Sequence, residues 1–257
     1  MNPLPDTFRL IQSGFHDAFY NMGFDEALLE SVAGGKSPPV LRLYGWKPAA
    51  VSVGYFQGLD EEVDIDACRV RGIDVIRRIT GGGAVFHQAE LTYSILLPET
   101  HPLAGRGIRD SYGLLCAGII RGLSRLGLSP EFVPINDILC QGRKVSGNAQ
   151  TRRQGMLLQH GTVILNLDAE LMFSLLKVPP EKLKGHLVQE VKSRVAGLED
   201  CLGRHVPFEE AETALIEGFR EGLSLDLYPD APSAAEEKRA LVLAREKFAS
   251  PEWLYKR

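Results

Sequence analysis

Short strand-like segments alternate along the chain with segments of helical periodicity, and this alternation limits the possible folds more than any other feature of its 257 residues. Two pairs of neighbouring strand-like segments are predicted to form hairpins: residues 40–44 with 50–54, and residues 137–140 with 144–146. Hairpins build antiparallel sheets, and the interspersed helices can cover the faces of such sheets. The pattern predicts an α+β fold with a mixed, largely antiparallel sheet or sheets flanked by helices.

The remaining periodic segments complete this expectation. Further strands are predicted at 8–11, 75–80, 91–97, 156–158 and 161–167, which are apolar and mostly rich in β-branched residues. Helices are predicted at 18–29, 61–71, 111–126, 169–176, 209–221 and 234–248.

The composition excludes several classes of protein. The chain has 44% hydrophobic and 24% charged residues, as globular proteins do, and no run of about 18 apolar residues predicts a membrane span. The N-terminus lacks the basic start and apolar stretch of a signal peptide, so the cytoplasm is the expected location. Four cysteines without a CxxC pair favour neither a disulfide framework nor a zinc site. The net charge of −4 argues against general binding to nucleic acid or anionic membranes.

The segment RRITGGGAVFH, residues 77–87, is the first candidate for a binding site. Three successive glycines expose backbone N–H groups, and Arg77 and Arg78 directly before them supply positive charge suited to phosphate or carboxylate oxygens. His87 follows after an apolar stretch. The segment therefore predicts an anion site, and the alternative is a flexible loop beside a surface basic pair.

A second candidate is the hairpin segment NDILCQGRKVSGNAQ, residues 136–150. Lys144 at the start of the return strand can project its ammonium into a cleft, and the small residues Ser146 and Gly147 leave room for a substrate. An ammonium stabilises negative charge that develops on a carbonyl or phosphate oxygen. The alternative is that Arg143 and Lys144 are ordinary charges of a hairpin turn.

The segment QHGTVI contains a third candidate, His160. A histidine beside a Gly-Thr step could act as a base, but a lone histidine in a strand is more often a packed core residue with a satisfied hydrogen bond. Both interpretations stay open at this point.

These three segments occur in the order and approximate spacing of the lipoate–protein ligases. The chain from about residue 8 to residue 257 resembles the catalytic domain of that family, which belongs with the biotin ligases and the octanoyltransferases. YGWKPAAVSVGYFQ near the start and FASPEWLYKR at the end extend the resemblance. The implied fold is that of the biotin/lipoate protein ligase catalytic domain.

The resemblance also implies a role for each matching position. The positions that match the segment around lipoate and the phosphate of its adenylate are Arg77, Arg78, Gly81, Gly82, Gly83, Ala84, Val85 and His87. Asn136 and Asp137 match a pair associated with nucleotide and magnesium, which makes Asp137 the candidate magnesium ligand. Lys144 matches the catalytic lysine that contacts the acyl carbonyl and the phosphate. The rest of the pocket would be lined by Ser146, Gly147, His160, Gly161 and Thr162.

The implied reaction has two steps and no permanently bound cofactor. Lipoate attacks the α-phosphate of ATP, with Mg²⁺ present, to give lipoyl-adenylate and pyrophosphate, and a lysine of a lipoyl domain then takes the lipoyl group. The expected acceptors are the glycine cleavage H protein or acyltransferase subunits of 2-oxoacid dehydrogenases. Such domains are small and generally acidic, and Arg152 and Arg153 are candidates to steer them, or else a solvated charged pair.

Two alternatives stay open. The first is an octanoyltransferase, which moves octanoate from acyl carrier protein through a cysteine thioester and uses no ATP. In the transferases that resemble the two ends of this chain, that cysteine lies on a loop upstream of the GRK hairpin, and residues 129–133 contain none. Cys140 lies on the hairpin itself, where a structural role is expected. The second alternative is a non-catalytic lipoyl-binding subunit.

The resemblance also bears on domain organisation. Larger ligases of the family continue past an EWLYKR-like segment into a small accessory domain that assists adenylation, whereas this sequence stops at Arg257. We therefore expect residues 1–257 to form a single catalytic domain without that accessory domain. A separate accessory protein would then be a partner, or the enzyme would work without one.

Overall fold

The computed structural model describes residues 6–177, 189–190 and 192–257. Within these residues, eight strands form one large sheet in the order β11-β1-β2-β6-β10-β9-β8-β7, and three strands form a small sheet in the order β4-β3-β5. The strands are β1 (Asp6–His16), β2 (Val40–Trp46), β3 (Ala50–Val53), β4 (Asp74–Arg77), β5 (Val85–His87), β6 (Glu90–Pro98), β7 (Pro130–Val133), β8 (Asp137–Cys140), β9 (Arg143–Arg153), β10 (Met156–Ile164) and β11 (Leu225–Pro229).

The pairing of the strands is mixed. Strand β1 runs parallel to β11 and to β2, and β3 runs parallel to β4, whereas the other pairs are antiparallel. The predicted α+β class with a largely antiparallel sheet is confirmed.

One predicted hairpin is wrong and the other is confirmed. Strands β2 and β3 follow each other in sequence but belong to different sheets, because β2 pairs with β1 and β6 while β3 pairs with β4 and β5. Both strands are buried along their whole length, so each finds neighbours on both edges elsewhere in the chain. The β8–β9 hairpin has a two-residue turn at Gln141 and Gly142, whose φ angles are 52° and 73°.

The helices follow the predicted positions closely. They are α1 (Ala18–Ala33), α2 (Leu59–Glu62), α3 (Ile65–Val70), α4 (Ile108–Arg125), α5 (Ala169–Leu175), α6 (Leu198–Leu202), α7 (Phe208–Gly222), α8 (Ala234–Leu243) and α9 (Pro251–Leu254). A 3₁₀ turn spans Pro102–Ala104, and a π-helical turn, Ala244–Phe248, continues α8.

Two predicted elements differ from the structure. The single helix predicted at 61–71 is two short helices, because Asp64 accepts a hydrogen bond from the Ala67 N–H and so caps a new helix. The two strands predicted at 156–158 and 161–167 form the continuous strand β10, since Gln159 and His160 keep their pairing with both neighbouring strands. Strands β5, β7 and β11 and helices α6 and α9 were not predicted.

The large sheet separates two hydrophobic cores. Along β2, Leu41 and Leu43 face the core under α4 and α7, whereas Val40 and Tyr44 face the core under α1 and α8. A smaller third core lies between the small sheet and helices α2, α3 and α5. Among the described helices, none combines the length and the apolar character that crossing a bilayer requires.

Candidate active site

A cavity of about 290 Å³ lies where the large sheet faces the small sheet. Its floor comes from β2, β6, β9 and β10, which are adjacent in the large sheet, and its opposite wall comes from β5 and the glycine segment before it. Apolar lining residues include Met22, Trp46 and Phe86, while Lys144 and Arg78 contribute positive charge. The cavity can therefore take a ligand with an apolar chain and an anionic head.

Arg78 supports the glycine segment from below. Its guanidinium donates to the carbonyl oxygens of Gly81 at 3.1 Å and Gly83 at 3.0 Å, and also to the backbone oxygen and hydroxyl of Ser52. Burial lowers the pKa of Arg78 to about 10, which still leaves the group charged at neutral pH. Arg78 therefore fixes the conformation of the segment and places positive charge beside the cavity.

Arg77, by contrast, does not line the cavity, although the sequence placed both arginines in the predicted phosphate site. Its fully buried guanidinium donates to carbonyl oxygens of two other segments. The acceptors are the carbonyl oxygens of Gly54, Tyr55, Gln57, Trp253 and Leu254. Successive side chains of a strand point to opposite faces, so neighbours in the sequence need not share a site.

His87 is part of a buried hydrogen-bonded chain. Its Nδ1 lies 2.6 Å from Glu90 Oε1 and its Nε2 lies 2.6 Å from Ser52 Oγ, while Arg78 donates to the same hydroxyl. The ring also stacks on Trp46 at 4.0 Å between centroids. Ser52 is fully buried and does not line the cavity, so this Ser-His-Glu arrangement supports Arg78 and does not present a nucleophile.

Lys144 lies at the cavity as its hairpin predicted. Its Nζ is 2.7 Å from Asp137 Oδ1 across the hairpin, and its side chain is 37% exposed, so the ammonium can reach a ligand. Gly147 is required beside it, because a Cβ at this position would lie 2.8 Å from both Cε and Nζ of Lys144. Asn136, which precedes the hairpin, also lines the cavity and hydrogen-bonds the backbone of Asn148.

His160 is buried and fully hydrogen-bonded, which agrees with the structural interpretation of this residue, although one side lines the cavity. Its Nε2 is 2.7 Å from Thr80 Oγ1 and its Nδ1 is 3.4 Å from Asp25 Oδ2. Burial lowers the pKa of His160, against the opposite effect of Asp25. Because a carboxylate only accepts, Nδ1 carries the proton and the neutral ring accepts from Thr80, just before the triple glycine.

The other predicted residues divide into two sets. Those that line the cavity with Arg78, Lys144 and His160 are Gly82, Gly83, Ala84, Val85, His87, Asn136, Gly147, Gly161 and Thr162. Those that do not line it are Arg77, Gly81, Asp137 and Ser146. Asp137 acts on the cavity only through Lys144, and Ser146 is fully buried in β9. The roles of these residues in binding remain predictions.

Behind the cavity lies a buried pair, Asp25 and Arg42, that the sequence patterns did not predict. Arg42 donates to Asp25 at 2.7 Å, and Tyr44 and Ser94 donate to the same carboxylate. Burial alone would raise the pKa of Asp25, but Arg42 and His160 lower it below the ordinary value. The signal in the sequence was an acidic residue in the middle of the apolar helix α1, which lies on the buried side.

The predicted magnesium site is not built by protein groups alone. The described part of the chain brings no three His, Cys, Asp or Glu side chains together as a metal site would. Asp137 faces Lys144 and could offer one carboxylate to a cation that is otherwise held by substrate phosphates.

All four cysteines belong to the described residues, and none of them lines the cavity. Cys68, Cys116 and Cys140 are fully or almost fully buried, and burial raises the pKa of Cys116 to about 12 and those of Cys68 and Cys140 to about 11. Burial also raises the pKa of Cys201. These thiols are protonated at neutral pH and are poor nucleophiles.

Arg152 and Arg153, which the sequence left as either steering residues or a solvated charged pair, are both engaged within the protein. Arg152 donates to the carbonyl oxygen of Ala104 at 2.6 Å and pairs with Glu99 at 3.5 Å. Arg153 pairs with Glu26 at 3.6 Å. Arg152 is therefore a structural residue that holds the segment before α4.

Comparisons with known proteins agree with this geometry. A family model described as the lipoyl protein ligase A/B catalytic domain matches residues 17–220. Octanoyltransferase LipM of Geobacillus kaustophilus (strain HTA426) is 38% identical over 275 positions, which cover 98% of this chain and 99% of the relative. Octanoyltransferase LipM of Bacillus subtilis (strain 168) is 36% identical with the same coverage.

Solved structures described as lipoate protein ligases have the same fold. A chain from the bipartite lipoate protein ligase system of Thermoplasma acidophilum aligns with a TM-score of 0.87 at 30% identity, covering 98% of this chain and 96% of that chain. Lipoate-protein ligase A bound with ATP aligns with a TM-score of 0.83 at 29% identity, covering 97% and 98%.

Proposed function

The chain belongs to the lipoyl protein ligase A/B catalytic-domain family, and we propose that it transfers a lipoyl group to the lysine of a lipoyl domain after ATP has activated the lipoate carboxylate. Membership of this family makes the chain an enzyme of protein lipoylation. Our proposal concerns the donor of the acyl group, which we take to be lipoate activated by ATP.

One observation carries the choice of donor. The cavity brings together Lys144, Arg78 and the backbone of the glycine segment, and no cysteine lines it. A thioester route needs a thiolate within reach of the acyl carbonyl, whereas an adenylate route needs charge and positioned donors. The described groups suit an adenylate.

The chain's residues then act by position and charge. The lipoate carboxylate attacks the α-phosphate, pyrophosphate leaves, and the acceptor amine later attacks the acyl carbonyl while AMP leaves. The Lys144 ammonium stabilises the negative charge that develops on the carbonyl and phosphate oxygens, and Asp137 holds it in place. Arg78 fixes the glycine segment through the carbonyl oxygens of Gly81 and Gly83, and the backbone N–H groups of this segment would donate to the same head group. Trp46, Met22 and Phe86 would enclose the apolar part of the acyl chain.

A second candidate is the octanoyltransferase, because the names of the relatives favour it over the ligase. In that reaction, octanoate would come from a carrier-protein thioester without ATP. That route needs a thiolate beside the acyl carbonyl, and none of the four cysteines of this chain lines the cavity.

Two parallel incubations separate the candidates. In the first, the protein receives lipoate, ATP and Mg²⁺, with hydroxylamine to trap the acyl-adenylate, and pyrophosphate is measured. In the second, it receives octanoyl carrier protein and a lipoyl domain without ATP, and mass spectrometry looks for an acyl-enzyme thioester. We expect pyrophosphate and hydroxamate in the first and no thioester in the second.

The opposite result would establish the octanoyltransferase. Cys140→Ser serves as a control, since turnover that is unchanged in this variant removes Cys140 from the mechanism. The first incubation is repeated with a ligase accessory protein added, because the proposal of a single catalytic domain leaves that partner open. Absence of pyrophosphate under both conditions contradicts the ligase.

A further inference from the structure

Arg77 organises a surface that lies outside the cavity. It binds the turn at residues 54–57 and the C-terminal helix α9 at the same time, through the carbonyl oxygens of Gly54, Tyr55 and Gln57 on one side and Trp253 and Leu254 on the other. In return, Trp253 Nε1 donates to the Arg77 carbonyl at 2.9 Å. A fully buried cation thus fixes two distant segments against each other.

The side chains that these segments present form an aromatic–cationic patch, which consists of Tyr55, Phe56, Lys256 and Arg257. Phe56 is 69% exposed, an unusual exposure for a phenylalanine. Lys256 Nζ is 2.5 Å from the Tyr55 hydroxyl and 4.4 Å from its ring centroid, and the Arg257 guanidinium lies 5.4 Å from the Phe56 centroid. Each cation therefore lies beside an aromatic ring of the patch, and Phe56 is the exposed ring of the two.

The patch borders the cavity through the glycine segment. A Cβ at Gly81 would lie 3.8 Å from the Phe56 ring, and Gly82 and Gly83 line the cavity. Gly54 packs against the other side of the segment, because a Cβ there would meet the Gly82 carbonyl oxygen at 2.0 Å. A protein that covers the patch would reach the cavity across three glycines.

The charges of the patch are free to pair with a partner. Some surface arginines of the described chain are paired with carboxylates, such as Arg239 with Glu30 and Arg204 with Glu210. Within the described residues, neither Lys256 nor Arg257 forms an ion pair, although the protein as a whole is negatively charged. An exposed ring with two such cations complements a surface that is acidic and carries an apolar group.

We infer that the aromatic–cationic patch docks the acceptor domain through acidic residues that flank its target lysine. This inference rests on the proposed function for the identity of the acceptor as a lipoyl domain. The patch contributes to recognition of the acceptor and takes no part in activation of the acyl group.

The test uses the lipoyl domain of a 2-oxoacid dehydrogenase acyltransferase subunit as the acceptor. We compare Phe56→Ala and the double variant K256E/R257E with the wild-type protein. Both should raise the KM for this domain about tenfold or more, because they remove the anchor or reverse its charge. Formation of the acyl hydroxamate without acceptor should stay within about twofold of wild type. The matched control K36E/K238E makes the same charge change on exposed lysines outside the patch and should leave both rates unchanged.

A binding measurement keeps the inference testable even if ATP activates no acyl group. The ¹⁵N-labelled lipoyl domain, with its target lysine replaced by glutamine, is titrated with each protein without any acyl donor. Loss of the chemical-shift changes in Phe56→Ala and in K256E/R257E, with the changes retained in K36E/K238E, supports the patch. An unchanged KM or unchanged shifts would overturn the inference, as would an equal loss in the acceptor-free reaction. An effect confined to transfer from octanoyl carrier protein would show that the patch docks the donor instead.

Discussion

Arg77 and Arg78 are neighbours at the end of one strand, yet they belong to different regions of the molecule. Arg77 holds five backbone carbonyl groups that frame the aromatic–cationic patch, whereas Arg78 holds the glycine segment at the cavity. Within the described chain, neither arginine donates a hydrogen bond to a carboxylate. An Arg-Arg pair before glycines can therefore combine a residue that holds the fold together with a residue that supports the site.

The first prediction concerns Arg77 and the stability of the fold, and it has the largest expected effect. Arg77→Ala leaves several buried carbonyl groups without a donor, so we expect the free energy of unfolding to fall by about 3–5 kcal/mol in urea denaturation. The control Arg69→Ala removes an exposed pair with Asp66 and should cost about 0.5 kcal/mol or less. A loss below about 1 kcal/mol for Arg77→Ala would contradict the role of Arg77 in holding the two segments together.

The second prediction concerns the cavity side. Lys144→Ala should reduce lipoyl transfer about 10²–10³-fold, because the variant loses a charge aimed at the developing oxyanion. The free energy of unfolding should change by about 1 kcal/mol or less, since Lys144 and Asp137 are both about one-third exposed. Retained activity would remove Lys144 from its role, and global unfolding would assign it to the architecture instead.

The third prediction tests whether the position of the ammonium matters. The Cβ in Gly147→Ala would meet the flexible end of Lys144 and displace it, so we expect kcat to fall about tenfold with little loss of stability. Gly142→Ala at the hairpin turn is the matched control, because its Cβ would meet nothing, although its positive φ brings a small strain. Equal kcat losses in the two variants would contradict the role of the Lys144 position.

The fourth prediction is the smallest and concerns pH. The folded protein lowers the pKa of His160 below its ordinary value of 6.5, so between these two pKa values the unfolded chain binds more protons. The His160 contribution to the free energy of unfolding is therefore present above pH 6.5 and is lost as the pH falls through the window below it. His160→Gln should flatten the dependence of the urea midpoint on pH below pH 6.5, and an unchanged slope would contradict the assignment.

Much of the fold followed from periodicity. Helices α1, α4 and α7 and the β8–β9 hairpin were predicted because their patterns are local. The separation of β2 from β3 could not be predicted, since two adjacent buried strands look alike whether they pair with each other or with distant strands. Tertiary pairing decides such cases.

In the site, too, features within one stretch of sequence were predictable, whereas contacts between distant segments were not. Lys144 and the glycine segment were predicted because their chemistry lies within one continuous stretch of sequence. Asp25 and Arg42 were missed, because their pairing joins a helix and a strand that are 17 residues apart. Arg77 was assigned to the cavity because the sequence alone does not say where the strand ends and which face each arginine takes.

The central claim is that this cavity works with an acyl-adenylate and without a cysteine thioester. A competition experiment tests it most directly: the protein and a lipoyl domain receive lipoate with ATP and Mg²⁺ together with octanoyl carrier protein, and the intact mass of the domain is measured. We predict that the domain gains a lipoyl group and that removal of ATP abolishes the gain. An octanoyl group that appears with or without ATP, accompanied by an acyl thioester on this protein, would contradict the claim.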